Sequence, residues 1–252
     1  MSTIINAHIP KTGGTSFAKV LKNTYGHHHL DLYYPPPFEN LLEKYYYLLP
    51  YYWRYHARSI SSHNIRYYPP ERFWPEARFV IFLRNPIERS VSSYLHAKRR
   101  APHMKYGNLV PDYCESLHTW FSVDNEINTM TRFLNTLNGG GHRDKKDFED
   151  ALKQLEQYHY IGITERFAES VALIRQDVPE LSAQIGYYNT NPNKKPDTGY
   201  AEQLSDAELS VVKKHNHLDI DLYNAAVEMF DARYRARLGG SFRPIEEERR
   251  QY

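Results

Sequence analysis

Twice in this chain a β-prone run ends in a short polar turn that passes directly into an amphipathic helix, and few folds accommodate that pattern. Residues 3–9 (TIINAHI) lead into a glycine-rich turn, after which Phe17, Val20, Leu21 and Tyr25 recur at helical spacing until Gly26. Residues 77–83 (ARFVIFL) are a continuous apolar run of strand length, the mark of a strand covered on both faces. RNPIERSVSSYLHAKRR (84–100) follows, with Pro86 suited to a first helical turn and Ile87, Val91, Tyr94 and Leu95 on one side. Strand, turn and helix in immediate succession build parallel sheets. The expected fold is therefore α/β, a single domain over 1–252 with a central parallel sheet flanked by helices.

Residues 27–70 are broken by proline clusters and dense in tyrosine, and are expected to be an ordered but irregular insertion with one helix at 38–49. Helices are expected over 126–137, over DFEDALKQLEQY (147–158), over TERFAESVALIRQ (164–176) opened by Thr164, and over DIDLYNAAVEMF (219–230). YIGI (160–163) reads as a short strand, 187–200 as a loop and 242–252 as a frayed tail, while Ser205 and Glu208 have capping-box spacing.

Composition narrows the partners. A chain of 252 residues, 41% hydrophobic, can bury a sizeable core. Its 32 basic and 30 acidic residues leave a net charge of +2, so a nucleic-acid partner is not expected and any anion site must be local. A lone cysteine, Cys114, excludes an internal disulfide and a cysteine zinc cluster. No run has the length of a membrane span and no signal-peptide pattern opens the chain. The expected location is cytoplasmic, in a protein of bacterial type, with a luminal domain cut from a longer parent as the alternative.

Both turns have the chemistry of anion sites. In HIPKTGGTS (8–16), Gly13 and Gly14 let the backbone approach a ligand, Thr12, Thr15 and Ser16 offer hydroxyls, and Lys11 supplies a charge just before a helix N-terminus. The lysine precedes the glycines, the reverse of the ATP-binding loop in which it follows them. The second unit puts Arg84 at a strand end and Ser92 in the helix beyond. Two such units on neighbouring strands imply a ligand with two separated phosphate-like groups, as in a nucleotide phosphorylated at both ends of its ribose. No aspartate is placed to hold the magnesium ion that a kinase would need.

These two segments, HIPKTGGTSF and FVIFLRNPIERSVSSYLH, resemble the sulfotransferases that use 3′-phosphoadenosine 5′-phosphosulfate (PAPS), above all the branch containing heparan sulfate 2-O-sulfotransferase and its bacterial relatives. The resemblance implies a P-loop-like sulfotransferase fold. It assigns Lys11, Thr12, Gly13, Gly14, Thr15 and Ser16 to the 5′-phosphosulfate, and Arg84 and Ser92 to the 3′-phosphate. Weaker likeness continues through NTMTRFL (128–134), YIGITERFAESVALI (160–174) and NHLDIDLYNAAVEMF (216–230). It further implies a histidine base between the two loops, for which His63 is the candidate and His56 the next. Lys194 and Lys195 fall where relatives close a loop over the nucleotide, and are assigned to the 3′-phosphate.

Sulfuryl transfer is an in-line displacement in which positioning and electrostatics carry most of the work, so no metal is expected. The run His27-His28-His29 is read as a loop lining the acceptor site, since consecutive histidines converge poorly on one ion. Lys98, Arg99, Arg100 and Lys105 are read either as a solvated helix end or as a rim attracting an acidic acceptor. The expected acceptor is a hydroxyl on a glycan, a peptide tyrosine or a small metabolite. Rival readings are a nucleotide- or polyanion-binding module without catalysis and a degenerate P-loop kinase.

Overall fold

In the computed structural model, the described residues are 3–32, 56–63, 65, 77–100, 115–121, 126–135, 145–182 and 199–239. Five short segments form a parallel sheet among these residues: β1 (Ile4–Ala7), β2 (His29–Asp31), β3 (Ser59–Ser62), β4 (Arg78–Leu83) and β5 (Tyr160–Ile163), in the order β2-β3-β1-β4-β5. Successive side chains alternate between two apolar layers. Ile4, Val80, Phe82 and Tyr160 pack against α1 (Gly14–Tyr25) and α5 (Phe167–Arg175). Ile5, Ala7, Phe79, Ile81 and Ile161 pack against α3 (Thr129–Asn135), α4 (Lys145–Glu156) and α7 (His217–Leu238). A third cluster joins Val91 and Tyr94 of α2 (Pro86–Arg100) to Val212 of α6 (Asp206–His215), Tyr200 and the helical turn Leu117–Trp120.

The order of strands matters for function. The chain leaves β1 toward β2 on one side, and returns from β3 to β4 on the other. The crevice at the carboxyl ends of β1 and β4 is thus the switch point of the sheet, where open α/β sheets bind ligands. Pairing of Ala7 with Ile81 sets β1 and β4 in parallel, so both polar turns leave the same edge of the sheet, with β4 running on to Leu83.

Two expectations change. Residues 27–70 are not wholly irregular, because β2 and β3 lie within them and β3 pairs with both β1 and β2. The sequence SISS hides a central strand because its serines make buried hydrogen bonds instead of apolar contacts: Ser61 Oγ accepts from Asn6 Nδ2 at 3.0 Å, and Ser59 Oγ lies 2.8 Å from His29 Nδ1. Thr164 does not cap a helix. A 3₁₀ turn spans Thr164–Arg166, α5 begins at Phe167, and Thr164 Oγ1 lies 2.6 Å from the Thr12 carbonyl and 2.9 Å from that of Leu83, its single proton shared between them. The expected helix at 38–49 and the tail at 242–252 lie outside the described residues.

Two of the three weaker segments, 128–134 and 216–230, meet in a buried polar knot. Asp219 of α7 accepts from the Met130 and Thr131 backbone amides at 2.9 and 2.8 Å and from the Thr131 hydroxyl at 2.8 Å, capping α3. In return Asn128 Oδ1 accepts from the Leu218 and Asp219 amides at 3.1 and 3.4 Å, capping α7. Ser90 of α2 joins by donating to Asn216 Oδ1 at 3.0 Å, and the buried Arg89 pairs with Glu126 at 3.1 Å. Burial pushes the Asp219 carboxyl above its ordinary range, opposed by the Thr131 amide and Arg89. The knot fixes α2, and with it one wall of the crevice.

Candidate active site

The loop after β1 is built around its own backbone. Lys11 and Gly13 both adopt left-handed conformations, φ 69° and 82°, and the non-glycine Lys11 does so at a cost of about 1 kcal/mol. Thr12 is wholly buried and its hydroxyl donates to the Ile9 carbonyl at 2.9 Å, so this side chain braces the turn. Gly14 is required by contact: a Cβ there would lie 1.9 Å from His8 Cδ2. Asn6, a polar residue inside an apolar strand, donates to the Gly14 carbonyl at 3.2 Å and holds the start of α1 in place.

The two helices that open at the crevice start differently. Asn85 caps α2, its Oδ1 accepting from the Ile87 and Glu88 amides at 3.0 and 3.3 Å. Helix α1 begins at Gly14 with no side-chain cap and no acidic residue in its first turn, while Thr15 is exposed and Ser16 buried. A twelve-residue helix that ends this way presents a partial positive charge without an internal counter-charge.

Cations gather at that end. Arg84 leaves β4 and donates through Nη1 to the Lys11 carbonyl at 3.2 Å and through Nη2 to Glu88 Oε2 at 3.4 Å. Burial, then Arg84 and Arg99, hold the Lys11 ammonium below its ordinary range. Burial, then Lys11, Arg100 and Arg99, do the same to His96. His96 and Arg99 of α2 thus lie within electrostatic reach of Lys11. Ser92, half-exposed, lies two helical turns beyond Arg84. Lys98, Arg99 and Arg100 are exposed at the end of α2, with Lys98 Nζ donating to the Tyr94 hydroxyl at 3.3 Å. Lys105, Lys194 and Lys195 lie outside the described residues.

His63 follows β3 directly, at the same sheet edge as the Lys11 loop. Its Nδ1 lies 2.8 Å from the His8 carbonyl oxygen. A carbonyl only accepts, so Nδ1 carries the proton and the neutral ring keeps its lone pair on Nε2. The rings of His63 and His8 lie 4.1 Å apart between centroids, tilted by 34°. Burial, then His63 and Lys11, hold the His8 imidazole well below the usual histidine range, so it stays neutral at ordinary pH.

His56 precedes β3 and stands at the opposite edge of the sheet, which removes it as the alternative base. The His27–His29 run is corrected for the same reason. Helix α1 returns the chain to the amino edge, where His27 and His28 form a 3₁₀ turn and His29 begins β2, bonded to Ser59 and, at 3.0 Å, to Asp31. It does not line the crevice. Among the described residues no group of three or more His, Cys, Asp or Glu side chains is placed to hold a metal ion, and no helix is long and apolar enough to cross a membrane.

Sequence reasoning missed His8, Asn6 and Glu88. Asn6 was detectable as a polar residue in an apolar strand, whereas the roles of His8 and Glu88 depend on contacts across the fold.

The layout is that of an α/β protein with two adjoining strand-to-helix loops at the switch point of a parallel sheet. The sequence model of the sulfotransferase family matches residues 2–225, nearly the whole chain, and the protein belongs to that family. Its general chemistry is therefore sulfuryl transfer. No curated protein matches the chain.

Proposed function

We propose that the protein transfers a sulfuryl group from PAPS to an acceptor hydroxyl. The observation that carries this reading is the convergence of Lys11 and Arg84, two like charges joined through the Lys11 carbonyl, on the uncapped end of α1. Glu88 answers the Arg84 charge, and a second like charge held beside it in a partly buried crevice is costly unless a further anion joins them. On this reading the 5′-phosphosulfate lies over residues 11–16, with backbone amides of the α1 terminus and Lys11 around it, and the 3′-phosphate lies at Arg84 and Ser92.

The acceptor oxygen attacks sulfur as the bond from sulfur to the bridging phosphate oxygen breaks, and 3′-phosphoadenosine 5′-phosphate (PAP) departs. Lys11 stabilises the charge that develops on that bridging oxygen. His63 Nε2 accepts the proton from the acceptor hydroxyl, its tautomer held by the His8 carbonyl. The sulfuryl group carries less charge than a terminal phosphoryl, so a lysine and helix-end amides serve without a metal.

His63→Ala tests the base. Transfer from PAPS is expected to fall by about 10²–10⁴-fold while PAP affinity stays within about threefold. Unchanged transfer by the variant would remove His63 from the chemistry.

A further inference from the structure

Resting on the reading of Arg84 as the 3′-phosphate contact, we propose that Glu88 is a positioning residue that aims Arg84 at that phosphate and locks it to the Gly199–Ala201 segment. The Glu88 carboxylate holds both partners at once. Its Oε2 accepts from Arg84 Nη2 at 3.4 Å, and its Oε1 accepts from the amides of Tyr200 and, at 3.3 Å, Ala201. Arg84 and Glu88 side chains are only 16% and 13% exposed, so this is not a solvated helix-face pair. The segment comes so close that a Cβ at Gly199 would meet Oε1 at 2.9 Å. Tyr200, 4% exposed, anchors it in the cluster with Val91, Tyr94, Trp120 and Val212.

The position of the carboxylate is what calls for explanation. Glu88 lies one helical turn from Ser92 and one from Arg84, so it sits beside the two residues assigned to a phosphate. A carboxylate there repels a second anion, and by itself would weaken binding. Held by two backbone amides, however, it fixes one edge of the guanidinium while the Lys11 carbonyl fixes another. Arginine recognises phosphate through a planar fork whose orientation decides the contact. A fork gripped from both sides presents its remaining N–H groups in one direction, with little side-chain entropy left to lose on binding.

The roles separate in Glu88→Gln, which keeps an acceptor oxygen for the two amides and loses the charge that grips Arg84. Affinities for PAP and for adenosine 5′-phosphate, which lacks the 3′-phosphate, are measured by calorimetry on the wild type, Glu88→Gln and Glu88→Ala. Glu88→Gln is expected to bind PAP about tenfold more weakly, the loss of one charge-assisted contact, with adenosine 5′-phosphate affinity unchanged. Glu88→Ala is expected to lose more PAP affinity than Glu88→Gln. Unchanged or tighter PAP binding by Glu88→Gln would mean that the carboxylate only competes with phosphate, and equal losses for both nucleotides would mean a general lesion; either overturns the proposal. A wild type that binds the two nucleotides equally would sink the 3′-phosphate reading itself, and this proposal with it, before any variant is considered.

Discussion

At Gly14 the absence of one methyl group decides whether the loop after β1 and the His8–His63 ring pair can coexist. The space a Cβ would need, 1.9 Å from His8 Cδ2, is filled by the ring that packs against His63. Gly14→Ala is therefore expected to destabilise the protein by about 2–3 kcal/mol in urea unfolding. His8→Ala should relieve much of that loss, so the double variant is expected to be at least about 1 kcal/mol more stable than the sum of the single effects. Strict additivity would mean that the two residues do not meet. The same packing explains why His8 stays neutral: burial alone disfavours its charged form, and Lys11 and His63 add to that. A third cation in this crevice would compete with the role proposed for Lys11.

At the scale of elements, the knot between α3 and α7 holds the wall on which the second loop is mounted. Asp219 satisfies three donors of α3, two backbone and one hydroxyl, within a fully buried setting. Asp219→Ala leaves them without an acceptor and is expected to cost about 3 kcal/mol of stability; Asp219→Asn, which keeps one acceptor oxygen, is expected to cost less. A loss below about 0.5 kcal/mol for the alanine variant would show that the knot is not what secures α2 and α7. Elements whose side chains carry their own periodicity were legible in the sequence: β1 with α1, β4 with α2, β5, and α6 with its Ser205 and Glu208 capping box. Those stabilised by long-range polar contacts were not. β3 reads as part of the irregular 27–70 insertion until Asn6 and His29 are seen across from it, and Thr164 reads as a cap until the carbonyls of Thr12 and Leu83 are found above it.

At the scale of the whole molecule, the sheet order converts two separate sequence motifs into one site. Lys11 and Arg84 are 73 residues apart in the chain, yet the parallel pairing of β1 with β4 brings the Arg84 guanidinium to the Lys11 carbonyl. His63 arrives at the same edge only because β3 pairs with β1 on its other side. The loop residues were readable from composition and spacing; the direction in which His63 presents its lone pair was not, because it is set by a carbonyl 55 positions away. The central claim is that this convergence transfers sulfuryl groups from PAPS, and PAP formation from PAPS in the presence of a simple phenol tests it most directly. The wild type is expected to form PAP and sulfated phenol in equal amounts, and Lys11→Ala to be slower by at least about 100-fold while still binding PAP. Wild-type turnover by Lys11→Ala, or a wild type that leaves PAPS untouched and consumes ATP with magnesium instead, would contradict it.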